Sequence, residues 1–159
     1  MRYEDKVSRL INCLKDLGVE YRHIIFSGTT RTVEEAARVS GADPSSIIKT
    51  IIVIDEENRI YATIVPGSKR IDLEKIKILT GSGNLRLAKA NEVRRYLGYE
   101  VGEIPPLCLD NVFRVIVDEE IFSRRKVLGG GGSINSLLEI NPEALRSYGD
   151  KLVIAKISI

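Results

Sequence analysis

The run Ile47-Ile48-Lys49-Thr50-Ile51-Ile52-Val53-Ile54 limits the fold more than any other stretch of this chain. Side chains alternate across a strand with a period of two, and here both of the resulting faces are apolar. A strand of that kind is covered on both sides and lies in a sheet's interior. A second apolar run, Arg59 to Val65, follows Asp55-Glu56-Glu57-Asn58, so the pair predicts a β-hairpin that Pro66-Gly67 ends.

The remaining elements are punctuated by caps and glycines. Val7, Leu10, Ile11, Leu14 and Leu17 fall at helical spacing between Tyr3 and Leu17, and Gly18 supplies a stop. Val19 to Phe26 reads as a strand. Thr32-Val33-Glu34-Glu35 carries a capping-box pattern for a short helix that ends near Gly41. Asp72 caps a helix from Leu73 to Leu79 closed by Gly81, and Asn91 one from Glu92 to Leu97 closed by Gly98. Val112 to Val117 and Lys126 to Leu128 read as strands, Pro142 opens a helix through Tyr148, and Leu152 to Ile157 forms a last strand. Such irregular alternation predicts an α+β fold with a mixed or largely antiparallel sheet and peripheral helices, not a doubly wound parallel sheet.

At 159 residues the chain is read as one domain over 1–159, opened by a helix at about 3–17. A net charge of +2 permits a nucleic-acid partner without demanding one. No stretch approaches the roughly 20 apolar residues that span a bilayer, and Met1 to Lys6 lacks the apolar segment of a signal peptide. A cytoplasmic location with no membrane partner is therefore expected. Cys13, Cys108 and the single His23 form no metal-ligand pattern, so neither a metal nor a cofactor is expected. The absence of Gln and Trp beside abundant Ile, Glu, Lys and Arg leans toward thermophile composition.

Three segments carry candidate chemistry. Lys49 is a cation inside an apolar strand, where an unpaired ammonium costs several kcal/mol to bury. Either it reaches solvent along its aliphatic stem from the strand's first turn, or it faces a cleft and polarises a carbonyl or meets a phosphate. The four glycines Gly129 to Gly132 with Ser133 allow close backbone approach and offer bare amides, or else form a flexible hairpin tip. No Gly-Lys-Ser/Thr follows them, and Gly-x-Gly-x-x-Gly does not fit, so nucleoside triphosphatase and dinucleotide readings are weak. Gly102-Glu103-Ile104-Pro105-Pro106 is either a stiff turn or a rigid wall with exposed amides. Cys108 and His23 would serve as nucleophile and base only if the fold brought them together; His23 fits better as a partly exposed strand residue.

Thr32-Val33-Glu34-Glu35-Ala36-Ala37, Ile48-Lys49-Thr50-Ile51-Ile52-Val53, Val65-Pro66-Gly67, Asp72-Leu73-Glu74-Lys75, Gly102 to Pro106 and Gly129 to Ser133 occur in one order. In that ordered set the chain resembles the YbaK and prolyl-tRNA synthetase-associated editing domains, freestanding or inserted aminoacyl-tRNA deacylases. The resemblance runs from about Val19 to the C-terminus. It implies a mostly antiparallel, partly barrel-like sheet surrounded by helices, with a pocket at the sheet's end. The implied activity is hydrolysis of the ester that joins a wrong amino acid to the 3′-terminal adenosine of tRNA, with no metal.

By the same match Lys49 takes the place of the family's pocket lysine, and Gly102 and Pro106 the ends of its Gly-x-x-x-Pro loop. Thr50 and Gly129, Gly130, Gly131, Gly132 and Ser133 would contact substrate. Amides near Gly102 or the glycine run would hold the oxyanion, while Lys49 orients the carbonyl or terminal phosphate. Lys69, Arg70, Arg86, Lys89, Arg94 and Arg95 are candidates for the acceptor stem. The implied substrate is a small amino acid such as Ala or Cys on tRNA for proline, with an aminoacyl-tRNA synthetase as a further partner. Glu103 and Leu107 depart from the family, which commonly has glycine at both places, so the loop's polarity and the pocket's size follow from this chain's own residues. The alternatives are a non-catalytic module that binds the tRNA acceptor end or a synthetase, and a small-molecule binding protein.

Overall fold

The computed structural model describes residues 3–159, and in it the apolar hairpin is β2 (Ile48–Asp55) and β3 (Ile60–Pro66). The two strands pair antiparallel with Lys49 opposite Val65 and Ile54 opposite Ile60. Alternation divides them between two cores. Ile48, Ile52, Ile54, Ala62 and Ile64 enter the main core, and Val53, Tyr61 and Val65 enter a second one on the other face. Asp55 organises the connecting turn from a buried position. Its carboxylate accepts from the Glu57 and Arg59 amides at 2.9 Å, from Arg59 Nε at 2.8 Å and from the Tyr61 hydroxyl at 3.0 Å. Burial pushes the carboxyl up, but these bonds outweigh it and hold it below the ordinary aspartate value.

The hairpin is central to a five-stranded sheet of order β4-β2-β3-β5-β8, with β4 at Leu85–Leu87, β5 at Arg114–Asp118 and β8 at Leu152–Ala155. β4, β2 and β3 run antiparallel, whereas β3, β5 and β8 are parallel. The parallel pairs follow from the long connections before each strand, since parallel neighbours need a crossover. A second sheet, β1-β7-β6, is antiparallel throughout and consists of β1 (Tyr21–Ile25), β6 (Val127–Gly130) and β7 (Ser136–Ile140). A single parallel bridge from Ile47 to Leu128 joins the two sheets edge to edge, as in a partly closed barrel.

The helices are α1 (Tyr3–Leu17), α2 (Val33–Ser40), α3 (Leu73–Thr80) and α4 (Ala90–Leu97). Thr32 and Asp72 cap α2 and α3 as their positions predict, and Gly41, Gly81 and Gly98 close α2, α3 and α4 in the left-handed conformation. The capping box at α2 is only half made, because the Glu35 carboxylate takes the Thr29 hydroxyl at 2.6 Å. α4 begins earlier than Asn91 predicts: Lys89 is its N-cap, and Glu92 reaches back to the Lys89 amide at 2.9 Å. The segment after Pro142 is a 3-10 helix, not an α-helix, and Gly149 kinks it at φ 62°. β7 is absent from the sequence reading, and Gly129 and Gly130, which fall outside the expected Lys126 to Leu128 strand, are part of β6.

Cys13 on α1 and Cys108 form a disulfide with a Cα separation of 6.2 Å. No thiol is therefore left on Cys108 to act as a nucleophile, and α1 is stapled to the segment beyond α4. The bridge spans 95 residues, a long closure whose main effect is to restrict the unfolded chain. Reduction, or the Cys13→Ser/Cys108→Ser pair, is expected to lower unfolding stability by about 2–4 kcal/mol. Denaturant titration with and without reductant measures this, and the double variant should be indifferent to reductant.

Candidate functional site

The outer edge of β2 is shared unequally. β4 pairs with its far end at Val53 to Asp55, and β6 approaches its start, bridging Ile47 through Leu128. The stretch between them faces a cleft of about 240 Å³, into which Lys49, Thr50 and Ile51 open. Its walls are Thr30 to Val33 and Ala36 on one side, Val101, Gly102 and Ile104 on another, and Gly129, Gly130 and Leu137 as the third.

Three backbones approach closely at this cleft, and glycine is what allows it. Gly102 has φ 92°, and a Cβ there would overlap the Arg31 carbonyl oxygen. A Cβ on Gly130 would overlap the Ile104 carbonyl, and one on Gly129 would lie 2.9 Å from Pro106 Cδ. Pro106 thus packs behind Gly129 and is outside the cleft lining. The Gly102 amide donates to no acceptor among the described residues. The Gly131 and Gly132 amides are committed, to the Ser136 carbonyl at 3.1 Å and the Glu103 carbonyl at 2.9 Å.

Gly131, Gly132 and Ser133 also stand behind the wall. His23 Nε2 lies 2.7 Å from the Gly131 carbonyl oxygen, which fixes the turn from β6 to β7. Gly132 takes φ 88° against Leu10 and Tyr99, and the buried Ser133 hydroxyl is 2.5 Å from Ser136 Oγ. Lys49, Thr50, Gly102, Gly129 and Gly130 therefore share the cleft, whereas Pro106, Gly131, Gly132 and Ser133 support it. The lining residues Thr30 and Arg31 are absent from the sequence reading. The signal available for them was position: they immediately precede the Thr32 cap.

Lys49 is half-buried and makes no ion pair or hydrogen bond among the described residues. Burial lowers its pKa from the ordinary lysine value; the charge of Glu34 opposes that shift and that of Arg70 adds to it. The other basic candidates divide. Lys69 pairs with Glu120 at 3.5 Å, Arg86 with Glu92 at 2.7 Å and Arg94 with Glu100 at 2.8 Å, while Arg95 lies over the Tyr96 ring. Arg70 and Arg31 are exposed, and Arg31 stands in the cleft wall.

Neither departure in the loop enters the cleft. Glu103 is buried and pairs with Lys6 of α1, and Leu107 belongs to the main core. Polarity in the cleft thus comes from Lys49, Thr50, Thr30, Arg31, Thr32 and main chain, against apolar Val33, Ala36, Ile47, Ile48 and Leu137. Among the described residues, no three His, Cys, Asp or Glu side chains stand together as metal ligands.

The sequence pattern of the aminoacyl-tRNA editing domain family matches residues 28–148. The crystal structure of a hypothetical protein, APE2540, superposes with a TM-score of 0.88 at 41% identity, covering 95% of this chain and 99% of that one. A candidate trans-editing enzyme for prolyl tRNA synthetase superposes at 0.86 with 27% identity, covering 97% of each chain. The proline–tRNA ligase of Thermosipho melanesiensis is 26% identical over 123 residues, which are 77% of this chain and 22% of the ligase. The chain therefore spans about a fifth of that ligase's length.

The close approaches rank the glycines. Gly81 has φ 69° with open space around it, so Gly81→Ala costs only the left-handed backbone, about 1–2 kcal/mol. Gly102→Ala adds a main-chain collision and is expected to cost about 1–3 kcal/mol more. Thermal unfolding of the two variants beside the parent protein compares them directly.

Proposed function

Because the chain belongs to the aminoacyl-tRNA editing domain family, we propose that it is a trans-editing deacylase. It cleaves the ester of a mischarged aminoacyl-tRNA, a small amino acid such as Ala or Cys carried on tRNA for proline. One observation carries this reading: a partly desolvated lysine and the backbone of Gly102, neither its ammonium nor that amide with a hydrogen-bond partner among the described residues, line one cleft.

An aminoacyl ester is already activated, so positioning and charge stabilisation suffice for its hydrolysis. Water attacks the carbonyl carbon, the acyl C–O bond breaks, and the ribose oxygen leaves with the proton that the water gives up. The Gly102 amide receives the developing oxyanion. Lys49 orients the carbonyl or the terminal phosphate, and its desolvation strengthens that attraction. Thr50, Gly129 and Gly130 border the amino acid, with Ala36, Ile47 and Leu137 setting the size of the apolar end. Arg31 and Arg70, exposed by the cleft and by Lys49, take the acceptor-end phosphates in place of the ion-paired Arg86 and Arg94.

The similarity to a proline–tRNA ligase and to a candidate trans-editing enzyme for prolyl tRNA synthetase supports tRNA for proline as the carrier and a synthetase as partner. No helix among the described residues is long and apolar enough to cross a membrane. A cytoplasmic site is compatible with the disulfide, since intracellular proteins of hyperthermophiles are disulfide-rich.

A panel of aminoacyl-tRNAs, with alanine, cysteine, serine and proline on tRNA for proline, tests the reading. Selective hydrolysis is expected, reduced about a hundredfold or more in Lys49→Met. Binding of tRNA without hydrolysis above background would overturn it in favour of a binding module. Lys49→Met should also leave the melting temperature unchanged or raise it, because the cation it removes is held against its own desolvation. The sign follows from linkage. With the folded-state pKa lowered, the unfolded chain binds the extra proton between that value and 10.5. The stability of the parent protein relative to Lys49→Met therefore rises with pH across that window, which unfolding titrations from neutral to alkaline pH would follow.

A further inference from the structure

Glu103 is 1% exposed, yet it is the hinge between three segments and faces away from the cleft. Its Oε1 accepts from the Lys6 ammonium of α1 and from the Glu100 amide at 2.8 Å. Its own amide donates to the Glu100 carbonyl at 3.1 Å, and its carbonyl accepts from the Gly132 amide at 2.9 Å. One residue thus closes the turn that contains Gly102, fastens that turn to α1 and fastens it to the glycine run. Its chain neighbours Gly102 and Ile104 both line the cleft.

A carboxylate this buried is stable only with its partners in place, because removing one leaves an uncompensated charge. The main chain of 100–103 is consequently held in one position. The Gly102 amide has no hydrogen bond of its own to fix its direction among the described residues. α1 precedes the 28–148 segment that matches the editing family's sequence pattern, while the two superposed crystal structures cover 95% and 97% of the chain.

We propose that Glu103, anchored by Lys6, is the positioning residue of the cleft: it aims the Gly102 amide at the reacting carbonyl and makes α1 part of the hydrolytic machinery. The inference rests on the deacylase reading. Neither side chain touches substrate. Both act through the backbone at Gly102, so they should govern the chemical step more than binding.

The test is steady-state deacylation of the responsive aminoacyl-tRNA by Glu103→Gln, by the Lys6→Met/Glu103→Gln pair, and by the exchanged pair Lys6→Glu/Glu103→Lys. The double neutral variant leaves no buried charge and keeps the test open if Glu103→Gln is poorly folded. kcat is expected to fall about tenfold to a hundredfold in the neutral variants while KM stays within about twofold, with partial recovery in the exchanged pair. Arg9→Met, which loosens α1 at the Leu97 carbonyl and the Tyr99 ring without touching Glu103, should keep kcat within about twofold. An unchanged kcat in folded Glu103 variants would overturn the positioning role alone. An equal loss in Arg9→Met would reduce it to a general effect of α1. Absence of hydrolysis by the parent protein would overturn the deacylase reading, and this inference with it.

Discussion

A strand buried on both faces but left open on one stretch of one edge is the constraint from which the site follows. β2 is covered by the main core on one face and the second core on the other, and only Lys49, Thr50 and Ile51 along it remain partly exposed. β4 occupies one end of that edge and the bridge to β6 the other. Lys49 and Thr50 fall in the interval. A lysine four residues further along the strand, at Val53, would be buried in the second core, where desolvation costs far more. At the open interval it remains half-exposed and, among the described residues, without an ion-pair partner, and its burial lowers its pKa.

The opposite walls are fixed by main chain, not by side chains. At Gly102, Gly129 and Gly130 the neighbouring segments come so close that a methyl group would collide with backbone or with Pro106. Backbone walls are stiff because moving them requires moving the strands and turns that carry them. Among the described residues the Gly102 amide has no acceptor, whereas the amides of Gly131 and Gly132 are consumed in joining β6, β7 and the 100–103 turn. Runs of identical residues can therefore divide their labour, two glycines forming a surface and the next two forming the joint behind it.

The same division explains what the sequence made legible. The β2–β3 hairpin could be read because apolar alternation and a polar turn agree over the whole segment, and α2 and α3 because side-chain caps and closing glycines bracket them. α4 escaped at its start because the cap there is made from inside the helix by Glu92, not by Asn91. β7 escaped because a glycine run resembles a loop tip, although Gly129 and Gly130 pair with Leu138 and Leu137. Lys49, Thr50, Gly102, Gly129 and Gly130 are all on the cleft, but Thr30 and Arg31 needed the fold: nothing local distinguishes them from a polar approach to a helix. The disulfide was illegible for a related reason, since two cysteines 95 residues apart carry no spacing signal.

α1 illustrates how an element that precedes a family's matched sequence segment becomes tied to its site. It holds the region from Leu97 to Cys108 by chemically different means: a buried ion pair at Glu103, a hydrogen bond to the Leu97 carbonyl at 3.3 Å, a stacked guanidinium over Tyr99 and a covalent bridge at Cys108. These respond to different perturbations. Neutralising either partner removes the ion pair, reductant opens the bridge, and neither affects stacking strongly. A loop that must keep one amide in one direction gains from such redundancy, because losing one tether leaves the others to limit its motion. The ion pair is nevertheless the tether nearest Gly102, and its distance from the cleft is a single peptide unit, so the geometry of the wall depends on it more directly than on the disulfide five residues further along the chain.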